Sequence, residues 1–151
     1  MADYVLADTS VISRLTQRSP DSEAYAAWRG ERRLAVNFQV QAELLAAGFA
    51  GQRKQRLDDL IDACVKLPMN ESTHVQYARV LAMRAELRKS RHQGSDAGDA
   101  DMWVISSALE YEIPLFSHDR GQVQLARMMG LPVDAIAWIS CRSTSSKEAT
   151  L

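Results

Sequence analysis

Two cysteines in 151 residues, Cys64 and Cys141, are too few and too far apart for a disulfide framework, and they stand in no metal-type spacing. They are expected as reduced thiols, Cys64 in the core. The longest apolar runs fall far short of the roughly 20 residues that span a bilayer, and the start, "MADYVLAD", has no basic stretch or cleavage site of a signal peptide. The expectation is a cytoplasmic protein with no membrane partner. Charge of either sign is not in excess: the formal net charge of −1 argues against a broadly basic coat for nucleic acid, while leaving room for a local basic groove. Histidine is scarce, and His74, His92 and His118 are scattered with no sequence-level partner, so each is read as surface or structural. What is present is ordinary for one globular domain, with 46% hydrophobic and 25% charged residues.

Apolar periodicity alternates strand with helix along the chain. "DYVLA" reads as strand and "TSVISRLTQ" as helix, followed by a helix in "SEAYAAWRG", a strand in "RLAVN" and a helix in "FQVQAELLAAGFA". "QRKQRLDDLIDACV" is a further amphipathic helix and "VKLPM" a short strand. "NESTHVQYARVLAMRAELRKS" is the longest helical pattern, with Val75, Ala78, Leu81 and Ala82 on one face and Arg79, Arg84 and Arg88 elsewhere. A polar loop, "RHQGSDAGDA", precedes the helix "DMWVISSALEYE", the strand "IPLFS", the helix "GQVQLARMMG" closed by Gly130, and a last strand in "PVDAIAWI". Alternation of this kind predicts an α/β fold, a parallel sheet of about four to five strands covered by helices on both faces. Residues 1–139 form the domain. The polar, aperiodic stretch 140–151 is expected to be a disordered tail.

Ligands of open parallel sheets bind beyond the carboxyl ends of the strands, which directs attention to the acids there. Asp8 ends the first strand pattern, and Asp119 follows "IPLFS" after His118. Asp101 lies in the first turn of its helix, with Asp99 as an N-cap candidate, and Glu43 adjoins the apolar pair Leu44 and Leu45. Each has a structural explanation: Asp is a preferred helix cap, and an acid in a first turn complements the helix dipole. Together, however, four carboxylates in one partly buried crevice repel one another unless a cation neutralises them, and the fitting cation is a hard divalent one, Mg²⁺ or Mn²⁺.

The stretches "VLADTSVIS", "VQAELLAAG" and "DADMWVISSALEYEIPLFSHD" resemble the motifs of PIN-domain ribonucleases, and within them the VapC-type toxins of bacterial toxin–antitoxin pairs. The last stretch is the most specific, combining an acid that opens a helix, a short turn, an apolar strand and a hydroxyl-x-Asp ending. The resemblance spans residues 4 to about 138. It implies a three-layer PIN-like domain in which Asp8, Glu43, Asp101 and Asp119 are both metal ligands and catalytic residues of a Mg²⁺- or Mn²⁺-dependent endoribonuclease. Ser117 takes a position where Thr is more usual, and Thr9, Ser117 and Asp99 are lesser supporting candidates. Asn37 stands where Ser is frequent. Asp96 and Asp99 are extra acids near Asp101, and register with "MWVISSAL" favours Asp101 as the third ligand. A homodimer, a VapB-like antitoxin and an RNA substrate (tRNA, rRNA or mRNA) are the implied partners.

A carboxylate-held metal can acidify a water and stabilise charge on a phosphodiester, so no nucleophilic side chain is required. Phosphate must also be attracted. Basic residues concentrate in "RGERR", "GQRKQR" and "RAELRKSRH", usually solvated helix faces, and Arg88, Lys89 and Arg91 precede the loop to Asp101 and are candidates for the RNA approach. Trp28, Trp103 and Trp138 are read as core or interface. Rival readings are a phosphoacceptor signalling domain, which should show a Lys after a late strand and does not, a catalytically silent PIN-like binding module, and a PIN nuclease that is not a toxin.

Overall fold

The computed structural model describes residues 4–16, 23, 27, 29–48 and 54–134. The greater part of the expected helix "SEAYAAWRG", Trp28, Trp138, Cys141, the greater part of "PVDAIAWI" and the tail lie outside the described residues.

Five strands form one parallel sheet: β1 (Tyr4–Ala7), β2 (Arg33–Asn37), β3 (Val65–Leu67), β4 (Leu115–Phe116) and β5 (Val133–Asp134). Their order is β3-β2-β1-β4-β5, with register pairs Leu6 to Ala35 and Leu6 to Leu115. β1 and β2 are nearly continuous apolar runs because a central strand of a parallel sheet is covered on both faces: Val5, Leu6, Ala7, Leu34, Ala35 and Val36 are all buried. The connecting helices are α1 (Thr9–Thr16), α2 (Phe38–Gly48), α3 (Lys54–Ala63), α4 (Glu71–Lys89), α5 (Asp99–Tyr111) and α6 (Arg120–Met128), giving the three-layer α/β architecture. No helix among the described residues is long and apolar enough to cross a membrane.

The strand-to-helix turns position everything that follows. Asn37, wholly buried, accepts the Val40 N–H at 3.0 Å and so caps α2, while its Nδ2 donates to Ser107 Oγ at 3.0 Å and to the Trp103 carbonyl at 3.2 Å. The residue thus ties the end of β2 to α5. Asn70 caps α4 in a capping box with Thr73. Gly130 takes a positive φ of 79°, which lets the chain leave α6 with the Leu131 N–H bonded back to the Ala126 carbonyl at 3.0 Å.

Two readings of the sequence need correction. The polar loop "RHQGSDAGDA" contains a 3-10 turn, Gln93–Asp96, capped by His92 Nδ1 accepting the Gly94 N–H and packed on α4 and α6. The long helix α4 turns a different face inward from the one its apolar residues suggest. Val75, Ala78, Leu81 and Ala82 are all exposed, whereas Thr73, Val80, Arg84 and Leu87 are buried. The inward polar pair is satisfied, because Thr73 donates to Glu110 and Arg84 donates to the Ala97 carbonyl at 3.0 Å and to Asp99 at 2.9 Å. Hydrogen bonding therefore overrides the hydrophobic pattern.

Candidate active site

At the carboxyl end of β1 the chain passes through Asp8 directly into α1. Only 6% of Asp8 is exposed. Its Oδ1 accepts the Val11 N–H at 3.0 Å and the Ser10 hydroxyl at 2.5 Å, and its Oδ2 accepts the Ser117 hydroxyl at 2.6 Å. Asp8 is accordingly a helix cap and, through Ser117, a bond between the ends of β1 and β4. The Asp8 N–H to the Phe116 carbonyl, at 3.2 Å, holds those two ends together on the backbone as well.

Asp119, three residues past the end of β4, caps α6 by accepting the Gln122 N–H at 2.8 Å, and its own N–H donates to Ser117 Oγ at 3.1 Å. Ser117 thus orients two acids at once. Glu43 reaches in from α2 and accepts from Thr9 and, at 3.0 Å, from Gln39 Nε2. Asp101 stands in the first turn of α5 and accepts the Gly98 N–H at 3.0 Å. Asp99, expected as the N-cap, is the first helical residue instead, and Gly98 takes the cap position.

These acids, from four separate segments, line one crevice together with Thr9, Ser10, Ala100, Val104, His118 and Gln122. β1 and β4 are neighbours in space yet far apart in sequence, and to either side of them the strand order runs in opposite directions. The crevice therefore sits at the switch point of the sheet. Electrostatics confirm the crowding. Burial pushes the Asp101 carboxyl up from its ordinary 3.8 to about 6, the Gly98 N–H opposes that rise, and the charges of Asp119, Asp8 and Glu43 add to it.

Other candidates lie elsewhere. Asp99 is turned to Arg84 and does not line the crevice, and Asp96 belongs to the 3-10 turn. Arg88, Lys89 and Arg91 stand at the far end of α4, outside the crevice wall, with Lys89 paired to Glu86 at 2.7 Å. Trp103 is half-buried and stacks on Tyr77, ring centroids 3.9 Å apart. Three polar residues of the wall were not site candidates in the sequence: Ser10, Gln122, and His118, which was read as surface or structural. Gln122 had a usable signal, since the third residue after an N-cap returns to the side of the capping group.

The four carboxylates and the hydroxyls beside them are oxygen donors, which fit a hard cation such as Mg²⁺ or Mn²⁺. Asp101 is raised first by burial and further by the charges of Asp119, Asp8 and Glu43, and a bound cation offsets both effects. Among the described residues no three acids are already turned toward one coordination point. Each accepts instead from a hydroxyl or N–H donor of the chain, so that gathering them on one ion requires side chains to turn.

The family model for the PIN domain matches residues 5–128. Similar solved structures include VapBC-1 from nontypeable Haemophilus influenzae, 22% identical over 87% of this chain and 96% of that one with a TM-score of 0.65. VapBC2 from Rickettsia felis bound to a promoter DNA fragment is 16% identical over 87% and 97%, with a TM-score of 0.67. FitAcB from Neisseria gonorrhoeae is 20% identical over 85% and 95%, with a TM-score of 0.66. No curated protein sequence matches significantly. With the match covering most of its length and the same fold in these structures, the chain belongs to the PIN domain family.

Proposed function

We propose that this protein is a Mg²⁺- or Mn²⁺-dependent endoribonuclease, the toxin of a VapBC-type toxin–antitoxin pair, that hydrolyses RNA phosphodiester bonds at Asp8, Glu43, Asp101 and Asp119. The observation that carries the reading is the convergence of these four acids, drawn from four separate segments, on one crevice at the switch point of the sheet. The solved structures of similar fold are VapBC-type and FitAB-type proteins, which supports the toxin assignment.

In this reading all four acids hold the ion, which when bound supplies an acidified water and charge neutralisation for in-line attack on a phosphodiester. The chain's own residues set the stage. Ser117 aligns Asp8 with Asp119, Thr9 steadies Glu43, and the N-termini of α1, α5 and α6 place partial positive charge beside the three aspartates. Arg88, Lys89 and Arg91 attract the RNA backbone from outside the crevice. A cytoplasmic homodimer inhibited by a VapB-like antitoxin completes the proposal. An arginine from that partner suits the crevice, because its guanidinium offers five donors in a fixed fork to carboxylates that can only accept.

Cleavage of total RNA in Mn²⁺, with and without excess chelator, tests the reading, alongside bacterial growth on expression of the protein alone and with a small upstream-encoded partner. Chelator should stop cleavage, expression should slow growth, and the partner should restore it. Full cleavage in chelator overturns the metal mechanism. Intact RNA and normal growth with soluble protein would favour the silent binding module, the alternative to which the locally bonded carboxylates lend weight.

A further inference from the structure

The wall of the crevice contains one polar side chain whose hydrogen bonding the protein leaves unmet. Gln122 is wholly buried, and neither its Oε1 nor its Nε2 has a partner among the described residues. An amide buried without partners costs about 1–3 kcal/mol, and such a group in a folded protein calls for an explanation.

The surroundings narrow what the amide can meet. Ionised carboxylates accept only, so they can serve Nε2 but not Oε1. The hydroxyls nearby are already committed: Thr9 and Ser10, in the wall, donate to Glu43 and Asp8, and Ser117, outside it, donates to Asp8. The His118 imidazole, also in the wall, makes no hydrogen bond to the amide. The backbone that carries the side chain is held in place. The Gln122 N–H is fixed on Asp119 Oδ1, and α6 is pressed so close to the 3-10 segment that a Cβ on Gly121 would lie 3.1 Å from the Ala97 nitrogen. Zero exposure also keeps a bulky phosphodiester away from the amide. Water does not touch it either as the side chains stand, so a partner can arrive only when the wall rearranges, and the event that demands this is cation binding by four carboxylates that do not yet face one point.

We propose that Gln122 is a positioning residue for a hydrated divalent cation, its Oε1 accepting from a water of the ion's shell and its Nε2 donating to a carboxylate of the crevice. This rests on the reading of the crevice as a cation site. The amide is thereby satisfied only when the ion is present, and the metal-free protein carries an unpaired polar group.

Gln122→Met keeps the length and unbranched shape of the side chain and removes both polar atoms, whereas Gln122→Glu keeps an acceptor. Mn²⁺ affinity by calorimetry and the thermal midpoint of the metal-free protein are the two readouts. Changes to groups that support metal ligands typically weaken affinity by about 10–100-fold. The Met variant should bind Mn²⁺ roughly tenfold more weakly while melting at or above the midpoint of metal-free wild type, and the Glu variant should bind within about threefold of wild type. A Met variant that binds Mn²⁺ like wild type overturns the assignment. So does one that melts well below wild type without metal, because the amide is then satisfied by the fold itself. Asp8→Asn separates the two levels. If wild type binds Mn²⁺ and Asp8→Asn does not, the cation site stands whatever Gln122 does; if wild type fails to bind, both readings fall.

Discussion

Asp8 carries two tasks on two oxygens, and a single substitution separates them. Asp8→Asn keeps Oδ1 for the Val11 N–H and leaves Ser117 Oγ able to accept in place of donating, so stability should change by no more than about 1 kcal/mol. RNA cleavage and Mn²⁺ binding should collapse, and cleavage at the wild-type rate would return the residue to a capping role alone. Asp101 makes a different prediction because its carboxyl sits at about 6 in the folded protein against 3.8 ordinarily. Between those values the native state holds a proton that the unfolded chain has lost, so the stability of the metal-free protein should fall as pH rises from about 4 to 6 and level off above. Mn²⁺ affinity should move oppositely, weakening below about pH 6 as the proton competes. Asp101→Asn should flatten both profiles, as read by thermal midpoints and calorimetry across pH. At this scale the convergence of the acids on one crevice was legible in the sequence, because Asp8 and Asp119 follow strand ends, where such sheets keep ligands, and Glu43 and Asp101 stand on helices of the same alternating pattern. Ser10, His118 and Gln122 were not, since a hydroxyl, an imidazole or an amide beside a strand end has many structural uses and only the assembled wall selects among them.

The elements were read correctly wherever hydrophobicity alone decides them, as in β1, β2 and α6, and misread on α4, where hydrogen bonds decide. No apolar pattern announces that Thr73 and Arg84 face inward, because their burial depends on Glu110, Ala97 and Asp99, residues from 13 to 37 positions away. Arg84→Met should therefore cost about 2 kcal/mol by releasing the Ala97 carbonyl and loosening the approach to α5. Leu81→Lys on the exposed face of the same helix should change stability by less than about 0.5 kcal/mol. Urea melts of the two variants check the assignment of faces; equal losses would restore the face suggested by the sequence. The 3-10 turn was likewise invisible to pattern. It is held by fit: a Cβ on Gly94 would stand 2.8 Å from Leu87 Cδ1 and 3.1 Å from the Leu125 nitrogen, so Gly94→Ala should destabilise by about 1–3 kcal/mol.

For the molecule as a whole, alternation of strand and helix was sufficient to give the parallel sheet, but strand order was not, because periodicity says which segments are strands and nothing about their neighbours. The order places the crevice between the ends of β1 and β4, and an ion bound there acts on the global equilibrium. At a hundredfold excess over its dissociation constant, Mn²⁺ should stabilise the fold by about 3 kcal/mol, seen as a rise of several degrees in melting temperature. An unchanged melting temperature in saturating Mn²⁺ would contradict a native-state cation site. The bond between Ser117 and Asp8, across 109 positions of sequence, has a further consequence in time. At about 5–20 residues per second, a ribosome takes roughly 5–20 s to travel from one partner to the other, and longer to clear Asp119 from its exit tunnel. Throughout that interval the nascent chain displays Asp8 without the strand that orients it. The bond that orients Asp8 is therefore among the last that the chain can close.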